Sequence, residues 1–217
     1  MSTESGVARW LFNIHKYGIG FVSGIPATAK ATENCAKRIS HIRETHWGQL
    51  WQFKADWEHG DTAYTHLALP AHTDTTYFSD PIGLQFFHIL KHEGGGGQSL
   101  YVDGYNIARE LKKEAMWAYL ALSRIRINAH CSGDTKTEFA PAETFPIIQT
   151  HPETGQIVRI RFNNDDRSPL QCSPQDTEEF YMALHEWMKV LRRQENEFWV
   201  QLKPGTAVSD FINLGNG

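Results

Sequence analysis

The chain is poor in cysteine, in excess positive charge and in long apolar runs. Its three cysteines, Cys35, Cys131 and Cys172, are scattered along 217 residues. No paired spacing exists among them, which excludes a zinc ribbon or a disulfide framework and suits a reducing compartment. The formal net charge of -4 leaves no basic excess to neutralise phosphates, which argues against a dedicated nucleic-acid binder. No apolar stretch approaches the roughly 20 residues that span a bilayer. The opening residues, Met1 to Gly6, lack a basic region followed by an apolar run. Neither a secretory signal nor a presequence is visible, and a cytoplasmic or a mitochondrial location both stay open.

What remains is the composition of an ordinary soluble globular protein, with 41% hydrophobic and 21% charged residues. The length suffices for one domain with a sizeable core. No repeat or long linker divides it, so residues 1–217 are read as a single domain. Eleven histidines and seven tryptophans stand out. Histidine is the commonest metal ligand, although most of eleven must be surface or hydrogen-bonded residues.

Apolar spacing predicts a helix over 7–16, a glycine-punctuated strand over 17–24 and a second helix from Thr28 to Arg43. Leu84–Leu90 and Ser99–Val102 read as strands flanking a four-glycine turn, Gly94 to Gly97. Asp103 to Leu122 reads as one helix, Ile147 to Phe162 as a hairpin, and Pro174 to Arg192 as a helix capped by Ser173 with proline at its first position. Short strands that do not alternate regularly with helices argue against a Rossmann fold. They predict a mainly β architecture with flanking helices, a β-sandwich or jelly roll.

The sharpest chemical feature is His72-Thr73-Asp74. In a strand, positions i and i+2 share a face, so an imidazole and a carboxylate converge on one ion. Such a pair supplies two of the three ligands of the facial triad that holds non-haem Fe(II). By itself the pair is weak, and a loop histidine beside a helix-capping aspartate is the competing reading. Its surroundings decide between them.

The run Gly60 to Phe78 (GDTAYTHLALPAHTDTTYF) resembles the signature of the trimethyllysine dioxygenase family, within the γ-butyrobetaine hydroxylase and taurine dioxygenase-like superfamily. So do Gly83 to Gly94 (GLQFFHILKHEG), Arg159 to Arg167 (RIRFNNDDR) and Glu195 to Gly205 (ENEFWVQLKPG). The resemblance implies a double-stranded β-helix fold, Fe(II) with 2-oxoglutarate as cosubstrate, ascorbate to keep the iron reduced, and hydroxylation of Nε-trimethyllysine in carnitine biosynthesis. It implies that His72 and Asp74 are iron ligands. Ser99 takes the place of a hydroxyl that contacts 2-oxoglutarate, or is a simple strand-start hydroxyl. Trp47, Trp51 and Tyr64 match an aromatic cage for the trimethylammonium group, which donates no hydrogen bond and is best held by ring faces. Asp61 adds a counter-charge to the cation or is an ordinary turn aspartate. Asn163 and Asn164 are candidates for the substrate's carboxylate or amine. The partner implied is a small molecule, neither nucleic acid nor membrane, and a homodimer is compatible with the resemblance. The alternatives are γ-butyrobetaine hydroxylase, which more often carries an aromatic where this chain has Thr75, and an inactive form that at most binds a trimethylammonium ligand.

The pattern breaks near the end. The family's third ligand is a histidine beyond the Lys-Pro-Gly turn, with an arginine further on for 2-oxoglutarate. Here no histidine follows His185 and no arginine follows Arg193. The chain therefore reads as a C-terminally truncated catalytic domain without the family's N-terminal domain and with an incomplete jelly roll. Substitution of the missing ligand by His88, His92, His130 or His151 is disfavoured.

Overall fold

The computed structural model describes residues 3–53, 69–134, 137–139 and 143–211. Helix α1, Glu4–Tyr17, starts where the Thr3 hydroxyl accepts from the Gly6 amide and stops at Gly18, whose φ of 72° is left-handed. Its buried stripe is Val7, Trp10 and Ile14. Strand β1, Ile19–Ser23, follows directly, and Gly20 lies beneath that stripe. A Cβ at Gly20 would come within 2.8 Å of both Ile14 Cγ1 and Trp10 Cδ1, so the absent side chain lets helix and strand meet.

Helix α2, Ala29–Ala36, is capped by Thr28 and is shorter than the reading to Arg43. It ends in tight turns in which Arg38 donates to Cys35 and Ile39 to Ala36 through their backbones. Strands β2, Leu84–His88, and β3, Ser99–Tyr101, match their expected positions. The expected long helix is broken into α3, Gly104–Glu114, and α4, Met116–Arg124, at Ala115 with φ -142° and ψ 70°. The break lets both pieces pack on helix α5, Pro174–Leu191. One straight helix would carry a single stripe in a single direction.

Strands β4, Cys131–Asp134, and β5, Thr137–Phe139, pair with each other, as do β6, Ile148–Thr150, and β7, Ile157–Ile160. The latter pair is the expected hairpin, with Ile148 opposite Ile160. Two further strands follow, β8, Phe198–Val200, and β9, Thr206–Phe211. Strand β8 pairs with β3, and β9 lies between β1 and β2, antiparallel to both. Helices and small antiparallel sheets are thus mixed.

The larger core joins α3, α4 and α5 to the β6–β7 hairpin through Ile107, Leu111, Leu122, Ile148, Phe180 and Trp187. A smaller one places Trp10 and Ile14 of α1 against Val22, Ile25, Cys35 and Ala207. Among the described residues no helix is long and apolar enough to cross a membrane.

Candidate metal centre and aromatic ladder

Strand β9 sorts the residues around the site. Ala207 lies in the α1 core, with Leu84, Phe86 and Phe211 packed against that core. The Phe86 ring meets Trp10 edge-on at 5.9 Å. Alternation therefore turns Gln85 and Phe87 of β2, and their register partners Asp210 and Val208 of β9, to the opposite face. Phe21 of β1, opposite Val208, shares that face and meets Tyr101 of β3 edge-on at 6.3 Å. Ser99 lies two residues from Tyr101 on the same strand and therefore shares its face. The face bearing Gln85 thus looks toward the strand face bearing Ser99.

His72 and Asp74 meet on this side. His72 Nε2 lies 3.2 Å from Asp74 Oδ1, with the two side chains 27% and 39% exposed. The motif is in a loop, not a strand as its spacing suggested. What aims it is a tie to the end of the hairpin: Thr73 N–H donates to the Phe162 carbonyl at 2.7 Å, and Phe162 N–H donates to Thr73 Oγ1 at 2.9 Å. Immediately after Asp74, Thr75 has φ 56°, a left-handed backbone unusual for a β-branched residue. Its Oγ1 accepts from the Ile82 amide at 3.0 Å.

The electrostatics follow from this packing. Burial opposes the charged form of His72, but the Asp74 hydrogen bond and charge, with the Pro70 carbonyl, hold the imidazolium up to about 9. Burial likewise works against the Asp74 carboxylate, and His72 and Gln85 outweigh it and lower the carboxyl. Burial raises Asp166 to about 6, against a hydrogen bond from the Thr76 hydroxyl and with help from the Asp74 charge. Burial raises Asp210 to about 7, and Asp74 adds to that.

The two motif residues fit adjacent positions around a divalent ion. Donors about 2.1 Å from a metal and at right angles lie about 3 Å apart, close to the observed 3.2 Å. His72 Nδ1 is 2.7 Å from the Pro70 carbonyl. That contact places a proton on Nδ1 and leaves Nε2 for the ion, the arrangement usual for a ligating histidine. Among the described residues no group of three His, Cys, Asp or Glu side chains assembles around an ion. His88 faces α2 through Thr32 at 2.8 Å, His92 pairs with the Gly96 carbonyl, His130 with Ser168, and His151 with its own turn.

The aromatic residues come together, but as a ladder. His46 and Trp47 have ring centres 3.5 Å apart, Trp47 and Trp51 stack at 5.2 Å, Trp51 and Phe53 at 4.4 Å, and Phe53 reaches Phe87 at 6.0 Å. A cation midway between Trp47 and Trp51 would be closer to each ring than the van der Waals contact of about 3.5–4 Å. It must therefore part the rungs or sit at an open ring surface. Phe53 and Phe87 were not singled out from the sequence; the period-2 face of β2 was the available signal. Asn163 is half-buried and accepts from the Asp165 amide, while Asn164 is exposed and its carbonyl accepts from Arg167. Asp61 and Tyr64 lie outside the described residues.

Known proteins resemble this chain to different degrees. The mitochondrial trimethyllysine dioxygenase of Bos taurus is 42% identical over 210 residues, which cover 96% of this chain and 50% of that protein. The γ-butyrobetaine dioxygenase of Homo sapiens is 30% identical over 202 residues, covering 93% of this chain and 52% of that one. The chain spans about half the length of these relatives. A solved taurine dioxygenase from Burkholderia xenovorans superposes with a TM-score of 0.64 at 14% identity, covering 99% of this chain and 76% of its own. That likeness shows the fold. The chain belongs to the taurine catabolism dioxygenase TauD, TfdA family, which matches residues 2–209.

Proposed function

We propose that this chain is the His-x-Asp-bearing part of an Fe(II)- and 2-oxoglutarate-dependent dioxygenase that hydroxylates Nε-trimethyllysine in carnitine biosynthesis. The observation that carries the reading is the 3.2 Å approach of His72 Nε2 to Asp74 Oδ1 at a spacing suited to neighbouring positions on one ion. The 42% identity to a trimethyllysine dioxygenase supports the choice of substrate. Fe(II), when bound, would supply the reductive activation of dioxygen, with 2-oxoglutarate as the co-reductant that leaves as succinate and carbon dioxide, and ascorbate would keep the metal reduced.

The chain's residues have more limited tasks. His72 and Asp74 hold the ion, and Asp74 offsets part of its charge. Ser99 lies on a strand whose face looks toward the same interspace, and its hydroxyl offers a donor to a cosubstrate carboxylate. The ladder of Trp47 and Trp51 offers ring surface to a quaternary ammonium. Tyr64 and Asp61 complete that pocket in this reading, and Asn163 and Asn164 meet the amino-acid end of the substrate. Residues 1–217 act as one domain, small-molecule binding is the principal interaction, and a mitochondrial location follows that of the vertebrate relatives.

Incubation with Fe(II), 2-oxoglutarate, ascorbate and either trimethyllysine or γ-butyrobetaine tests this, with succinate as the readout and His72→Ala as the control. Succinate that requires His72 and trimethyllysine supports the proposal. Preference for γ-butyrobetaine overturns the substrate assignment. A second reading rests on the lack of a third ligand among the described residues: the isolated chain binds a methylated ammonium without turnover. Retained trimethyllysine binding with no succinate selects it.

A further inference from the structure

Asp74 has two carboxylate oxygens, and the structure uses them differently. Oδ1 faces His72 Nε2 at 3.2 Å. Oδ2 accepts a hydrogen bond from the side-chain amide of Gln85, eleven residues away on β2. Gln85 is held in place by the sheet, opposite Asp210 of the central strand β9, with Phe87 beside it on the same face. The loop carrying Asp74 is fixed from the other side by the Thr73–Phe162 pair. The carboxylate is therefore gripped between a loop and a sheet, and only one of its oxygens points at the imidazole.

We infer that Gln85 is a positioning residue that reserves Oδ1 of Asp74 for the ion by occupying Oδ2, keeping the carboxylate a one-oxygen ligand. The physical argument is one of competition. A carboxylate that chelates with both oxygens takes two positions on the ion, and one of these is needed for a cosubstrate that itself chelates. Turning Oδ2 toward the metal would leave the half-buried Gln85 amide without its acceptor, which costs free energy. Partners of this kind, bound to a ligand and not to the metal, set ligand orientation, and their loss typically weakens metal binding about 10–100-fold. The inference rests on the metal-centre reading and deepens it.

The test uses the full chain and Mn(II) alone as probe, with free Mn(II) followed by electron paramagnetic resonance. Gln85→Met keeps the length of the side chain and removes the donor, and Gln85→Leu repeats the loss with another shape. Both are expected to bind Mn(II) about 10–100-fold more weakly while unfolding cooperatively. A metal-free double-mutant cycle supplies a readout that general packing would not move. Gln85→Met is expected to cost less stability on an Asp74→Ala background than in the unaltered chain. Equal Mn(II) affinity in the Gln85 variants, or equal cost on both backgrounds, overturns the inference alone. Failure of the unaltered chain to take up Mn(II) overturns the metal-centre reading, and this inference with it.

Discussion

The guanidinium of Arg161 lies 3.5 Å from the centre of the Phe145 ring, buried at 5% exposure. Burial, with the nearby charges of Arg159 and Arg126, lowers it to about 10, against the opposing pull of Asp80 and Glu143. Its partners are main-chain oxygens: it donates to the carbonyls of Thr76 and Phe78, in the loop that follows His72 and Asp74. A planar fork over a ring face can satisfy two carbonyls at once, which lysine cannot reproduce. Arg161→Met is expected to cost about 2–4 kcal/mol, the sum of charge-assisted hydrogen bonds and a desolvated cation–π contact. Arg161→Lys should recover only a minority of that loss. Urea denaturation of the three proteins checks both statements.

Trp51 is the middle rung of the aromatic ladder, stacked between Trp47 and Phe53. If the ladder parts to admit a trimethylammonium group, trimethyllysine should change the near-ultraviolet circular dichroism that coupled indoles produce, and unmethylated lysine should not. Trp51→Ala is expected to weaken trimethyllysine binding about 5–30-fold, the equivalent of roughly 1–2 kcal/mol of cation–π attraction, and to abolish the spectral change. Binding unaffected by Trp51→Ala would place the ligand elsewhere.

Gly205 of the Lys-Pro-Gly turn has φ 80°, and a Cβ there would sit 2.9 Å from the Ile25 carbonyl oxygen. The same turn accepts the Ile25 amide through the Gly205 carbonyl at 3.0 Å. Gly205→Ala therefore meets both a left-handed backbone and a main-chain obstacle that cannot rotate away. A loss of about 1–3 kcal/mol is expected from strain of this kind. It is measurable as a lower denaturation midpoint with an unchanged slope.

Asp166 sets a pH dependence whose sign is fixed. Burial raises its carboxyl from the usual value to about 6 in the folded chain, although the Thr76 hydroxyl donates to it at 2.9 Å. The folded state then binds the proton more tightly than the unfolded state. Its contribution to stability is present below about pH 4 and is lost as pH rises through 6. Asp166→Asn, which keeps an acceptor for Thr76 without the charge, should be more stable than the unaltered chain at pH 7 and lose that advantage toward pH 4. Denaturation midpoints over pH 4–7 give the answer.

The local elements were legible where one physical signal dominated. The Thr3 and Ser173 caps, the Trp10–Ile14 stripe and the Ile148–Ile160 hairpin all express short-range rules of spacing and capping. The pairing of His72 with Asp74 was legible too, as a motif, although its expected strand is a loop. Strand β9 escaped notice because Ala207, Val208 and Ser209 are all fully buried. A central strand covered on both faces shows no alternation of polar and apolar residues to announce it. The break at Ala115 was equally silent, since alanine is the best helix former and nothing local announces its non-helical ψ of 70°.

The sequence by itself determined which residues are the candidates for the site: an imidazole and a carboxylate two positions apart, two tryptophans four apart, a hydroxyl after a glycine turn. It determined the family through blocks spread along the chain. Tertiary structure alone decided which oxygen of Asp74 faces His72 and which accepts from Gln85, because Gln85 reaches the carboxylate only once β2 is laid beside β9. It alone decided that Trp47 and Trp51 touch each other and continue to Phe87. Identity is a local property of the chain, whereas aim and contact depend on partners distant in sequence, and those are fixed only when the sheets and the core close around them.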